Sequence, residues 1–147
     1  QMCIRDRVNR YRSRISGPLL DRIDIQVEVS NVDYDDLSST ENSETSAEVK
    51  KRVNKTRKLQ LERYKDYNIY SNSQLDAGML KKFCPLGEEE NAILRAAFDN
   101  LGLSARAHSR ILKVARTIAD LEGSENIKSE HIAEAIQYRS LDRKYFE

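Results

Sequence analysis

The chain has 147 residues, room for one domain, with 39% hydrophobic and 33% charged residues and no Trp, the profile of a helix-rich protein that faces water. Its 25 basic and 24 acidic side chains leave a net charge of +1, which excludes binding to nucleic acid through an overall positive field and leaves only local patches for that role. No apolar run approaches the roughly 20 residues that cross a bilayer and no secretory signal is evident, so a cytoplasmic protein is expected, with Cys3 and Cys84 as reduced, structurally minor thiols.

Residues 1–7, QMCIRDR, resemble a translated sequencing adapter and are set apart from the fold, so that the protein proper begins at Val8 and is expected to continue upstream. Basic VNRYRSR follows; Arg10, Arg12 and Arg14 are given no role. In SGPLLDR, Gly17 and Pro18 mark a turn, and Pro18 suits the first turn of a short helix reaching Arg22. Ile23, Ile25, Val27 and Val29 then alternate with Asp24, Gln26 and Glu28, the period of a half-buried strand. A lone strand cannot satisfy its own backbone groups, so the strand within residues 8–30 is expected to pair with a sheet that this chain does not supply or with another copy.

Residues 31–46 form an acidic polar loop. Thr45 and Glu48 then make a capping box for a helix running to about Tyr64. Residues 47–70 form a basic connecting segment in which Lys50, Lys51, Arg52, Lys55, Arg57, Lys58, Arg63 and Lys65 face only Glu62 in charge. Such a stripe is either a solvated helix face or a contact for DNA phosphates. Residues 71–147 are expected to be a helical bundle, compact from Leu75 to Tyr138, with the stretch before it poorly anchored. Its helices are predicted at Leu75 to Phe83, at Glu88 to Leu101 before Gly102, along the stripe Leu103, Ala107, Ile111, Val114, Ile118 and Leu121 closed by Gly123, and from an N-cap at Ser129 to about Tyr138.

No glycine-rich phosphate loop, paired Cys or His ligands or nucleophile elbow occurs in the sequence, and His108 and His131 stand alone as helix-face histidines. What remains is arginine. Arg22 in SGPLLDRID either pairs with Asp21 or Asp24 or serves an anion elsewhere; Arg106 in LSARAHSR opens the long striped helix, with Arg110 and Lys113 on the same face.

The segments RISGPLLDRID, GLSARAHSRILKVARTIADLEGSE and EHIAEAIQYRSLDR resemble the magnesium-chelatase-like family of AAA+ ATPases, in particular its competence-associated DNA helicases. The resemblance implies a mainly α chain comprising the last strand and edge of an AAA+ α/β core followed by a C-terminal helical lid. It implies that Arg22 is the arginine finger, acting catalytically in a neighbouring subunit's ATP site, and that Arg106 is sensor 2, touching nucleotide bound to its own subunit. It further implies ATP and Mg2+ in the full-length protein, a homo-oligomeric ring, expected to be a hexamer, and DNA as partner. The Walker A and Walker B segments are expected upstream, so the 147-residue chain is expected to be inactive alone. Two rivals stay open: a magnesium-chelatase ATPase subunit and a non-enzymatic helical interaction module.

Overall fold

The computed structural model describes residues 17–27, 29 and 44–139. The expectations for residues 1–7, for Arg10, Arg12 and Arg14, for most of the loop at 31–46 and for residues 140–147 lie outside them. Among the described residues the regular elements are helical: α1 (Gly17–Leu20), α2 (Ser46–Arg63), a 3-10 turn (Asn72–Gln74), α3 (Ala77–Phe83), α4 (Glu88–Leu101), α5 (Ala105–Glu122) and α6 (Ser129–Gln137).

Local chemistry sets the ends of these helices. Thr45 closes the expected capping box, its hydroxyl accepting from the Glu48 N–H while the Glu48 carboxylate accepts from the Thr45 N–H at 2.8 Å. Asp76 caps α3 through Met79 N, and Ser104 caps α5 through Ala107 N. Glu88, Glu89 and Glu90 stand at the positive end of α4. Gly102 (φ 57°) and Gly123 (φ 82°) end α4 and α5 in the left-handed conformation that a Cβ would strain. At Gly123 the stop is a full Schellman motif, with Ser124 N donating to Ala119 O and Gly123 N to Asp120 O.

Helix α5 is the centre of the bundle, packed most extensively on α6 and also on α2, α3 and the 3-10 turn, while α4 rests on α6. Tyr64, Leu75, Leu80, Leu94, Ile111, Ala115, Ala119, Ile127, Ile132 and Ala135 form the core. Because α5 is covered on several sides, its buried set also takes in Leu112, Arg116 and Asp120, whereas Leu121, counted in the predicted stripe, is exposed. The buried unit starts earlier than Leu75: Thr56, Gln60 and Tyr64 anchor the second half of α2. Residues 46–55, the first half of α2, are exposed throughout.

Two local expectations change. Ser129 begins α6 instead of capping it, because the Lys128 N–H is taken by His131 Nδ1 at 2.9 Å and Ser129 Oγ donates across to Glu90 on α4. The alternating segment from Ile23 to Val29 forms no ladder among the described residues, and Ile23, Ile25, Val27 and Val29 stay exposed. A strand needs a ladder of backbone bonds, and among the described residues this segment makes isolated ones instead, Gln26 N to Tyr138 O and Ile23 O from the Arg139 side chain.

Candidate nucleotide-facing arginines

Arg22 lies on a turn just after α1, where Arg22 N donates to Leu19 O and Ile23 N to Leu20 O, both at 3.0 Å. Its side chain is exposed. The two carboxylates that could have claimed it are engaged elsewhere. Asp24 pairs with Arg110, and Asp21 faces Arg139 at 3.7 Å. Among the described residues Arg22 therefore makes no ion pair, and its guanidinium is open to a group from outside.

Arg106 is the second residue of α5 and is also exposed. It stands in the first turn, at the positive end of the helix dipole, an environment that favours an anion. One turn on, Arg110 makes its ion pair with Asp24, two residues beyond Arg22. The helix that carries Arg106 thus holds the segment that carries Arg22. A second tie comes from beyond α6, where Gln26 N donates to Tyr138 O at 2.9 Å and Arg139 donates to Ile23 O and Asp21 O. Lys113, grouped with Arg106 by its spacing, instead donates to Ser73 O at 2.8 Å.

Most of the basic residues between Lys50 and Lys65 fall into two sets, Arg57 lining a separate depression with Tyr70 and Leu121. Arg52 pairs with Glu44, Lys65 with Glu62 and Arg63 with Asp120, whereas Lys50, Lys51, Lys55 and Lys58, with Ala47 and Asn54, line a shallow depression on the exposed side of the helix. Arg63 thereby leaves the basic stripe and joins a buried network. Asp120 accepts from Arg63 (2.5 and 2.8 Å), Arg116 (3.0 Å), Asn72 (2.9 Å) and Gln60 (3.3 Å). Burial pushes the Asp120 carboxyl up, but the hydrogen bonds from Arg63 and Asn72 and the charges of Arg63 and Arg116 outweigh it and hold the group below the usual aspartate range.

His131, Glu122 and Glu130 place three ligand-type atoms close together. With Nδ1 accepting from Lys128 N, the neutral imidazole carries its proton on Nε2 and donates it to Glu122, so the nitrogen facing the carboxylates has no lone pair for a cation. The hydrogen bond from His131 also lowers the Glu122 pKa. The cluster is a helix-end latch, and both histidines have structural settings: His131 is buried, and His108 meets Phe98 edge-on at 5.8 Å between centroids. Sequence reasoning found neither this latch nor the Asp120 hub. The Arg116/Asp120 spacing of four on the buried side of α5 was the available signal.

A helical bundle of this kind is consistent with the C-terminal helical lid of an AAA+ protein. The chain belongs to the magnesium chelatase ChlI family: the family's C-terminal region matches residues 43–139, and its preceding region matches residues 1–37. It is 43% identical over 137 residues to Competence protein ComM of Haemophilus influenzae, covering 92% of this chain and 26% of that protein. It is 41% identical over 142 residues to the uncharacterized protein YifB of Escherichia coli, covering 96% of this chain and 27% of the relative. A Mycobacterium bovis protein, Mb2921c, is 29% identical over 138 residues, 94% of this chain and 27% of its own length. The chain spans about a quarter of the length of these relatives.

Proposed function

We propose that this chain is the C-terminal part of a cytoplasmic, ring-forming ATPase that remodels DNA, with Arg22 as arginine finger and Arg106 as sensor 2. The observation that carries the reading is the pair of exposed guanidiniums on two segments tied together through Arg110 and Asp24, inside a family of AAA+ proteins. The relation to a competence protein supports a role on DNA taken up or recombined by the cell.

ATP hydrolysis spreads negative charge over the oxygens of the transferring phosphoryl group, and an always-charged planar donor brought in from the adjoining subunit stabilises that charge most in the transition state. Arg22 fits this task because it is exposed and its neighbouring carboxylates are engaged elsewhere. Arg106 fits the phosphates of its own subunit's nucleotide, being exposed at the positive end of α5. Mg2+ bound with ATP would neutralise the β- and γ-phosphate oxygens; its acidic ligands are assigned to the upstream core. In a hexameric ring each subunit then gives its finger to one neighbour and its sensor to itself. Along α2, Lys50, Lys51, Lys55 and Lys58 supply positive charge suited to DNA phosphates.

The test is Arg22→Ala in the full-length protein. Hydrolysis is expected to fall by about 10³-fold or more while ATP affinity stays nearly unchanged, because a finger contributes in the transition state and little to ground-state binding. Unchanged turnover would refute the assignment. A second reading, a chelatase motor subunit, is favoured by the family's own description; stimulation of hydrolysis by branched DNA, against dependence on a porphyrin-metallating partner, separates the two.

A further inference from the structure

Arg139 is among the least accessible side chains of the described residues, 1% exposed, yet it carries a permanent charge. Such burial is costly, and an apolar side chain would fill the same space more cheaply. Among the described residues its guanidinium grips backbone: Nη1 donates to Ile23 O at 2.8 Å and Nη2 to Asp21 O at 3.2 Å, with the Asp21 carboxylate 3.7 Å away. Those two carbonyls belong to the residues immediately before and after Arg22. One rigid, planar fork thus grips the chain on both sides of the proposed finger, across 116 and 118 residues of sequence.

The neighbouring contacts point the same way. Tyr138, adjacent to Arg139, accepts from Gln26 N, and Arg110 on α5 holds Asp24. The lid therefore grips the segment both from α5 and from the residues that follow α6, and these two helices pack on each other more extensively than any other described pair. From this we infer that Arg139 is a positioning residue for Arg22: it fixes the backbone from which the finger projects, so that a movement of the lid re-aims the finger delivered to the adjoining subunit. Nucleotide sensed at Arg106 in one subunit would then govern the finger presented to the next. The inference rests on the reading of Arg22 as a finger.

The experiment uses the full-length protein with Arg139→Lys, which keeps the charge but lacks the fork needed to hold both carbonyls, with Arg22→Ala, and with the double variant. Turnover of Arg139→Lys is expected to fall about 10- to 100-fold, the penalty of a misplaced catalytic group, with ATP affinity within about twofold of the parent. The double variant is expected to be no slower than Arg22→Ala alone, because a residue that acts through Arg22 has nothing left to position. Asp24→Ala breaks a surface pair on the same segment without disturbing the core, and it is expected to lower turnover by about threefold or more. Normal turnover of Arg139→Lys overturns the inference. So does a double variant slowed by the full product of the two single effects, and so does a loss of activity explained wholly by a lowered melting temperature while Asp24→Ala remains fully active. If Arg22→Ala itself turns over normally, the finger reading fails first, a result distinct from any of these.

Discussion

Asp120 has a side chain with no solvent exposure and lies against two guanidiniums, two side-chain amides and, through Asn72, the hydroxyls of Tyr64 (2.6 Å) and Thr117 (3.0 Å). A buried carboxylate is tolerable only when so fully paired, and removing it strands the charges around it. Asp120→Asn is expected to destabilise the 147-residue chain by about 3 kcal/mol in urea unfolding. The sign with pH follows from the depressed pKa. The stabilisation is complete above the unfolded aspartate value of about 4 and is lost as pH falls through the lower folded value, so acid unfolding should begin below about pH 4 and flatten in the Asn variant. Cys84, 4% exposed, is the opposite case: burial pushes its thiol up to about 11, so at pH 8 it should resist alkylation until the chain unfolds. Arg22 and Arg106 were legible as candidates because short local segments carry them. Asp120 and Arg139 were not, since each gains its meaning from partners dozens of residues away.

Among the elements, legibility tracked how local the deciding forces are. Helix α4 was placed to the residue from its three glutamates and its glycine stop, and the capping box at Thr45 was readable from two side chains. The start of α6 was misplaced by one residue because the deciding hydrogen bond comes from a histidine ring within the helix. The stripe on α5 was read as one face, whereas a central helix is buried on several, which is why Leu121 is exposed and Leu112 is not. The Schellman turn after α5 also orders Ser124 and Glu125, whose carbonyls accept from Arg116 at 2.7 and 2.9 Å. Gly123→Ala is expected to cost about 1 kcal/mol from its positive φ alone, there being open space around the position, and differential scanning calorimetry of the same chain would register it. The alternating segment after Arg22 shows the limit: its period was readable, but a ladder depends on a second strand, which a period cannot supply.

At the scale of the whole molecule, the near balance of charge concealed two candidate surfaces, an exposed lysine row on α2 and two exposed arginines, each visible only after local pairing is accounted for. The bundle packs around α5 and extends its grip to the Arg22 segment, so the two arginines are tied into one body, and under the proposed function they would face two different nucleotides in a ring. Subunit mixing tests that geometry most directly. Full-length Arg22→Ala subunits should be combined in one ring with subunits whose phosphate loop cannot bind ATP, each preparation being inactive alone. If Arg22 acts across the interface, hydrolysis should reappear in the mixture, because intact nucleotide pockets then stand beside intact fingers. A mixture as inactive as its components, in rings shown to contain both, would contradict it.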